Sequence, residues 1–301
     1  MPTYVKFVLS SAVFQMIITE AGTGTTKQQE LALSKVKQLW IPLPPIEEQL
    51  RIVAKLDDIM GNLERMDQAY TELSGSMLKH FKNLVLQQAI SGQLVPQLDS
   101  EPAVEQIGPA PAEDEVPFAL PEKWKWVLIK SIAKVVRGGS PRPISNYLTD
   151  ANDPLGLNWV RIGDAPCGGK LITSCKERIK ADGLSKTRLI SKGSLILSNS
   201  MSYGRPYILG VDGCIHDGWL ALSDFEKLIE VEFFYYVLLS SYSQQQFALK
   251  AQGTTVSNLN ADRVRSLFIP LPPLEEQRRI VARIEELFGD VDKLLEWQQF
   301  A

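Results

Sequence analysis

A twenty-residue segment occurs twice in this chain of 301 residues. "IPLPPIEEQLRIVAKLDDIM" begins at Ile41 and "IPLPPLEEQRRIVARIEELF" begins at Ile269, with twelve identical positions and an offset of 228 residues. The likeness continues upstream, where "GTGTTKQQELALSKVKQL" from Gly22 parallels "AQGTTVSNLNADRVRSL" from Ala251. An offset this long excludes the arrays of short repeats that build solenoid proteins. The sequence therefore predicts a duplicated module with a distinct domain between the two copies.

Each copy contains the signals of a helix start. Pro42 and Pro44 keep the chain extended, Pro45 suits the first helical turn, and the acidic Glu47 and Glu48 favour a helix N-terminus. Downstream, apolar residues alternate at spacings of four and three, which is typical of a coiled-coil seam. The predicted seam residues are Ile52, Leu56, Ile59, Leu63, Met66, Tyr70, Leu73 and Met77, followed by His80 and Leu84, and in the second copy Ile280, Ile284, Leu287, Val291 and Leu294. We expect two long helices that pair antiparallel; the alternative is a core-facing helix in an ordinary bundle.

The composition changes twice between the copies. Residues 96–120 are rich in proline and acidic residues, which predicts a solvated linker. Residues 121–268 contain strand-like runs from Trp126, Leu189 and Tyr207, so we expect an α+β domain with a strongly bent sheet and helices over 231–249. This domain holds 19 Lys and Arg against 13 Asp and Glu, whereas the rest of the chain holds 13 against 22. A basic surface is therefore present although the whole chain carries a net charge of −3.

The sequence offers few signals of catalysis. It contains no Gly-Lys-Ser/Thr phosphate loop, no glycine-rich dinucleotide fingerprint and no Asn-Pro-Pro-Tyr/Phe tetrapeptide. Ser200 or Ser202 with His216 and Asp217 is an imaginable hydrolytic triad, but adjacent histidine and aspartate residues orient each other poorly. We therefore expect no catalytic residue and no cofactor.

The three cysteines indicate a reducing compartment, because an odd number in a long chain does not suit a disulfide framework. Cys167, Cys175, Cys214 and His216 are an alternative zinc site, although they lack the short paired spacing of such sites, so we expect no metal. The apolar runs are shorter than the roughly 20 residues that cross a bilayer, and the N-terminus does not resemble a signal peptide. We expect a cytoplasmic protein.

Three segments together resemble the specificity subunit of type I restriction-modification systems. They are the "IPLPPxEEQxRIVA" helix start, "LQQAISGQLVPQ" from Leu86 and "PFALPEKWKWVLIKSIAKVVRGGSPRP" from Pro117, and they occur in that family's order. In the family, two target-recognition domains alternate with two long helical regions. The resemblance implies the tail of a first recognition domain at 1–40, a spacer helix at 41–95, the linker at 96–120, a complete recognition domain at 121–268 and a second helix at 269–301. The chain then corresponds to a specificity subunit truncated at its N-terminus.

The resemblance also implies the function. Each recognition domain of the family binds one half of a bipartite site in double-stranded DNA, and the helices set the spacing and dock methyltransferase (modification) subunits, with ATP-dependent restriction subunits joining the complex. The subunit itself is not an enzyme. The alternatives are a coiled-coil scaffold that does not bind DNA and an inactive truncated specificity subunit. Because only one recognition domain is complete, a homodimer that reads an interrupted palindrome is a further possibility.

The residues predicted to contact DNA lie on glycine-containing loops of the basic domain or are its exposed cations. Arginine binds guanine through two hydrogen bonds, and serine positions phosphates or base edges. The predicted base-reading residues are Arg137, Ser140, Arg142, Ser200, Ser202, Tyr203 and Arg205, and the predicted phosphate contacts are Arg161, Lys170, Lys176, Arg178 and Lys186. Each is alternatively a solvated surface residue. The "GTT" at 253–255 either binds a phosphate or only turns the chain.

Overall fold

The computed structural model describes residues 1–21, 33–199, 203–249 and 259–298, and it divides the chain into two compact units, Met1–Met77 and Leu78–Ala301. The helices are α1 (Pro2–Ser10), α2 (Ala12–Ala21), α3 (Leu33–Val36), α4 (Ile46–Ile90), α5 (Ile129–Ile132), α6 (Val231–Leu239), α7 (Ser241–Leu249), α8 (Ala261–Arg265) and α9 (Leu274–Gln298). The strands are β1 (Lys125–Leu128), β2 (Lys134–Arg137), β3 (Leu148–Thr149), β4 (Leu157–Val160), β5 (Leu171–Ile172), β6 (Glu177–Ile179), β7 (Arg188–Ile190), β8 (Leu195–Ser198), β9 (Pro206–Leu209), β10 (Gly213–Ile215), β11 (Trp219–Ser223) and β12 (Phe268–Leu271). This mixture of helices with mainly antiparallel sheets confirms the α+β class.

The first unit shows how the proline segment leads into α4. The Tyr4 hydroxyl, on the buried face of α1, donates to the Pro42 carbonyl at 3.0 Å. The buried Gln49 amide donates to the Pro44 carbonyl at 2.8 Å. These bonds hold 42–44 extended, and α4 begins at Ile46 as the sequence predicts.

Helix α4 is 45 residues long, but most of its predicted seam is exposed. Ile52 and Leu56 are half-buried. Ile59, Leu63, Met66, Leu73 and Met77 are exposed by 41 to 68%, and the side chain of Tyr70 lies outside the described residues. The pairing of these residues therefore remains a prediction. Over the described ranges, no helix is both long and apolar enough to span a bilayer.

In the second unit, the end of α4 runs antiparallel to α9. The Lys82 ammonium lies 3.2 Å from the Asp292 carboxylate and 5.1 Å from the centre of the Phe288 ring. At the opposite end, the Arg279 guanidinium donates to the carbonyl of Pro96, which follows α4. The shared core contains Val85, Leu86, Ala89 and Ile90 from α4 and Ile280, Val281, Ile284 and Leu287 from α9; Val291 is half-buried and the Leu294 side chain is not described. Antiparallel helices are thus present. The end of α4 packs against the core through Val85 and Leu86, whereas Leu84 of the predicted seam lies on the neighbouring face and is 51% exposed.

Within its described residues, the domain between the helices contains three sheets, a division that the prediction of a strongly bent sheet did not include. Sheet A has the strand order β3-β6-β4-β10-β7, sheet B the order β2-β11-β8-β9-β5, and sheet C pairs β1 with β12. Neighbouring residues of a strand point to opposite faces, so β8 buries Ile196 with residues of sheet A and Leu195 with the helices. Sheet B is therefore the middle layer between sheet A and the helices. Apolar strands that are buried on both faces show no alternation, which is why the sequence did not reveal two layers.

One local prediction was wrong. The run from Trp126 is not one strand, because α5 separates β1 from β2. The helices predicted over 231–249 are present as α6 and α7, which meet at Ser240, a residue with extended backbone whose hydroxyl donates to the Val237 carbonyl at 2.6 Å.

The predicted solvated linker is partly packed. Glu101 is buried, and its carboxylate receives two hydrogen bonds from Arg279 of α9, at 2.8 and 3.1 Å. The Val104 amide donates to the Lys123 carbonyl, and Ile107, Phe118 and Leu120 pack against the core. The second unit accordingly extends from Leu78 beyond the predicted domain boundaries at 121 and 268.

Two leucines of α4 test this packing. Leu86→Ala removes a side chain that is 3% exposed, so the free energy of unfolding should fall by about 2–5 kcal/mol. Leu84→Ala, two residues earlier and 51% exposed, should change it by less than about 0.5 kcal/mol. Urea unfolding of the full chain measures both. Equal losses would show that the helix presents a different face to the core.

Candidate nucleic-acid interface

Asp217 joins polar side chains from three segments at one end of the sheets. It lies in the turn between β10 and β11, and its carbonyl accepts from Arg137 Nε at 3.0 Å and from Asn199 Nδ2 at 2.8 Å. Its carboxylate accepts from Ser140 Oγ at 2.8 Å and lies 3.5 Å from the Arg142 guanidinium. Three of the predicted base-reading residues are thus held by one aspartate.

Two glycines allow the loop after β2 to approach this turn. A Cβ atom on Gly138 would lie 2.2 Å from the His216 carbonyl oxygen, and one on Gly139 would lie 2.5 Å from the Lys186 carbonyl oxygen. The Gly138 amide donates to the Trp219 carbonyl, and the Gly139 amide donates to the Ile215 carbonyl. Only glycine fits here, which explains the "RGGS" sequence between Arg137 and Ser140.

His216 is held as a neutral ring. Burial and the nearby charges of Arg161, Arg142 and Arg137 lower its pKa, against a smaller opposing effect of Asp217. The ring nitrogen Nδ1 accepts from the Gly218 amide at 2.9 Å, and Nε2 lies 3.1 Å from the Asp217 carboxylate. The proton of the neutral ring therefore resides on Nε2, facing that carboxylate.

Asp217 is ionised. Burial favours its neutral form, but the hydrogen bond from Ser140 and the charges of Arg137 and Arg142 outweigh burial and lower the pKa of Asp217. The Arg142 side chain is 81% exposed, so its ion pair with Asp217 is weak. Arg142 can therefore leave this aspartate for another anion at little cost.

Ser140, Arg142, His216 and Asp217 border a cleft of about 280 Å³, and the Arg137 side chain is bonded to Asp217 just outside its lining. Its apolar side is formed by Trp159, which is buried with Ile144 and Leu148 packed around it. Arg161, predicted as a phosphate contact, lies on the rim, where its guanidinium pairs with Glu177 and its amide donates to Asp164. The full lining is Ser140, Pro141, Arg142, Ile144, Leu148, Trp159, Arg161, Glu177, His216 and Asp217.

Two other predicted phosphate contacts, Lys170 and Arg178, bind carboxylates or a carbonyl of the protein itself. The Lys170 ammonium pairs with Glu232 of α6 and with Glu285 of α9. The Arg178 guanidinium donates to the Gly156 carbonyl. These two residues support the fold, and we do not assign them to the cleft.

Two lysines are nearer to the solvent. Lys186 lies 4.9 Å from the centre of the Tyr147 ring, and Lys176 is exposed while its backbone amide donates to Asp164. Both side chains are exposed, and the Lys186 ammonium donates to the Tyr147 hydroxyl at 2.5 Å. Their role remains a prediction.

The remaining predicted base-reading residues lie outside the lining of the cleft or outside the described residues. The Tyr203 hydroxyl donates to the Phe247 carbonyl at 3.0 Å, which fixes its ring against α7. The half-buried Arg205 lies 5.4 Å from the centre of the Tyr207 ring. Ser200, Ser202 and residues 253–255 lie outside the described residues.

The alternative zinc site is not assembled in the described residues, and Ser200 and Ser202 of the imagined triad lie outside them. Within the described ranges no three His, Cys, Asp or Glu side chains form a group that could hold a metal ion. Cys167 is exposed, whereas burial raises the pKa of Cys175 and of Cys214 to about 11. These two thiols stay protonated, unlike metal ligands.

Sequence reasoning missed the role of Asp217 as the centre of the cluster, and it missed Asn199, Trp159 and Glu177 altogether. A signal was present: the polar "HDG" from His216 separates two apolar runs, "GCI" and "WLALS". That pattern predicts a tight turn with polar side chains between two strands.

The half-buried neutral His216 makes stability depend on pH. The unfolded chain binds a proton at His216 more readily than the folded chain, so the free energy of unfolding should decrease as the pH falls through about 6.5. His216→Gln should flatten this decrease, as measured by urea unfolding at several pH values. His80→Gln, at the exposed position on α4, is the matched control. A wild-type pH dependence in His216→Gln would contradict the neutral ring.

Comparison with known proteins identifies the family to which this chain belongs. Residues 121–298 match the family model described as type I restriction modification DNA specificity domain. Two relatives are the type I restriction enzyme EcoBI specificity subunit of Escherichia coli, 25% identical over 91% of this chain and 56% of the relative, and the putative MjaX specificity subunit of Methanocaldococcus jannaschii, 23% identical over 98% and 62%. The chain thus spans somewhat more than half the length of these relatives.

Solved structures share the fold. The HsdS subunit from Thermoanaerobacter tengcongensis aligns with a TM-score of 0.55 and 24% identity over 99% of this chain and 65% of that one. A chain from a structural study of complex assembly and conformational transition of the type I R-M system aligns with a TM-score of 0.60 and 24% identity over 99% and 66%. Because the family model covers more than half of the sequence, this chain belongs to the type I restriction-modification DNA specificity family.

Proposed function

We propose that this chain is the DNA-recognition subunit of a type I restriction-modification complex and that it reads one half of a bipartite target through the cleft around Asp217. The observation that carries the proposal is the cluster of Arg137, Arg142 and Arg161 beside Ser140 on one end of the recognition domain. The subunit contributes no catalytic residue, and the chemistry belongs to its partners.

Arg137 and Arg142 are held differently and therefore have different roles in this proposal. Arg137 is fixed by its hydrogen bond to the Asp217 carbonyl, which suits a residue that must present donors in one orientation. Arg142 is exposed and only weakly paired, so a guanine edge or a phosphate can replace Asp217 as its partner. The neutral His216 ring adds no positive charge. Binding therefore depends on a few oriented guanidinium groups.

The two carboxylates of the cleft supply selectivity. Asp217 and Glu177 repel phosphates, and a carboxylate accepts hydrogen bonds only from base edges that carry amino groups, such as cytosine N4. A DNA sequence without such donors meets these two negative charges and gains no hydrogen bond from them, which disfavours its binding. The acidic residues thus disfavour wrong sequences while the arginines favour binding in general.

The helices dock the protein partners in this proposal. The exposed residues Ile59, Leu63, Met66, Leu73 and Met77 form the apolar stripe of α4, and an apolar surface of this kind marks a binding site. We assign the stripe to methyltransferase subunits, with restriction subunits joining through the complex. A second copy of the chain is the other candidate, and a twofold dimer would read an interrupted palindrome.

The stripe also favours a second candidate function, a coiled-coil scaffold that does not bind DNA. DNA titration separates the two functions. The scaffold predicts no DNA binding at any salt concentration.

Binding of double-stranded DNA should depend steeply on salt, with log affinity falling by roughly 0.9 per phosphate contacted for each unit of log salt. Arg137→Ala or Arg142→Ala should cost about 1–3 kcal/mol of binding and relax the preference at one base position. Arg283→Ala, an exposed arginine of α9 that pairs with Glu286, is the matched control and should bind like wild type. Fluorescence anisotropy in the presence of the modification subunits measures all three. Equal losses in all three variants would contradict the proposed cleft.

A charge in the apolar stripe tests docking. Leu63→Asp should weaken binding of the modification subunits by at least about tenfold, because the new carboxylate loses its water in the interface. Asn62→Asp adds the same charge one residue away and should bind normally. Light scattering of the chain alone decides between occupants: a monomer supports the modification subunits, whereas a dimer that Leu63→Asp dissociates assigns the stripe to a second copy. Normal docking by Leu63→Asp would remove the stripe from the interface.

A further inference from the structure

The two copies of the repeated module have the same local structure. Each consists of a short helix, an extended segment and a long helix: α8, β12 and α9 in the second copy, and α3, residues 40–43 and α4 in the first. The buried Gln277 amide donates to the Pro272 carbonyl at 2.9 Å, and the buried Gln49 amide donates to the Pro44 carbonyl at 2.8 Å. These are equivalent residues at the offset of 228. The second copy therefore shows what the first copy is shaped to bind.

In the second copy the extended segment is covered. It forms β12, which pairs antiparallel with β1, so that Ile269 lies opposite Val127 and Pro270 opposite Trp126. Ile269 is completely buried. The buried Glu276 of α9 accepts a hydrogen bond at 3.0 Å from the indole of Trp124, the residue before β1. A tryptophan followed by an apolar strand thus fills this site.

In the first copy most of the equivalent groups are exposed, although Ile41, the counterpart of Ile269, is half-buried. Trp40 is 93% exposed where Phe268 is half-buried, and Leu43 is 70% exposed where Leu271 is 2% exposed. Glu48, the counterpart of the buried Glu276, is exposed. Within the described residues, 40–43 have no strand partner. The first copy thus presents an unpaired strand edge, three apolar side chains including Ile46, and an unused carboxylate.

We propose that residues 40–48 are a docking edge for an extended segment of another polypeptide with the chemistry of residues 124–128. An indole N–H of that segment donates to Glu48, and the apolar residues after it pair antiparallel with 40–43. Addition of a strand to a free edge supplies backbone hydrogen bonds, and the side-chain contact sets the register. A second copy of this chain is a poor donor, because its own β1 already pairs with its own β12. The proposal does not depend on DNA reading.

The chain itself provides the probe, the labelled peptide PEKWKWVLIK of residues 121–130. Fluorescence anisotropy should show saturable binding to the full chain. Glu48→Ala should weaken it by about tenfold, because the indole loses a charged acceptor. Glu47→Ala is the matched control, since its counterpart Glu275 is exposed and does not contact Trp124. A peptide with phenylalanine in place of the tryptophan at Trp124 should lose the same factor.

Three outcomes would overturn the proposal. One is no binding at about 1 mM peptide, the weak limit of specific contacts. Another is equal binding by the Glu48→Ala and Glu47→Ala chains. The third is self-association of the chain that Leu43→Ser abolishes, which would assign this edge to a second copy. Helical circular dichroism of each variant confirms that the chain is folded.

Discussion

The pairing of β1 with β12 is the constraint on which the second unit depends. It brings the two ends of the recognition domain together in one small sheet, so the chain leaves the domain beside the point where it entered. The Gln277 side chain strengthens this junction, because it accepts from the Glu230 amide and donates to the Leu228 and Pro272 carbonyls. Helix α9 therefore starts at a fixed place against the domain. A recognition surface built on such a frame keeps its position relative to the helices.

The parts of this frame that are local in sequence were predictable. The proline run and the acidic first turn predicted the starts of α4 and α9. The repeat predicted two equivalent modules. The division into sheets A and B was not predictable, because Leu195, Ile196 and Leu197 are all buried and their sequence does not say which side each one faces. The packing of the linker escaped prediction for a related reason: Glu101 looks solvated until Arg279, far along the chain, is brought beside it.

The candidate site, too, was predictable in its local features but not in the contacts between distant segments. Glycines and arginines near Arg137 predicted the loop correctly, since close backbone approach and guanidinium donors are properties of residue types. Which cations are free is a property of the fold. Lys170 is occupied by Glu285, and Arg178 by a backbone carbonyl, whereas Arg142 is left exposed. Asp217 was underestimated because its importance comes from three segments that meet only in the folded domain.

DNA contact with the cleft around Asp217 can be measured by photo-crosslinking. Double-stranded DNA containing 5-iododeoxyuridine is crosslinked to the chain bound with its modification subunits, and the crosslinked peptides are identified by mass spectrometry. We expect crosslinked peptides that contain Ser140, Trp159 or His216, which line the cleft. Crosslinks confined to the other groove, between Glu232 of α6 and Glu285 of α9, would show that DNA does not bind at the cleft.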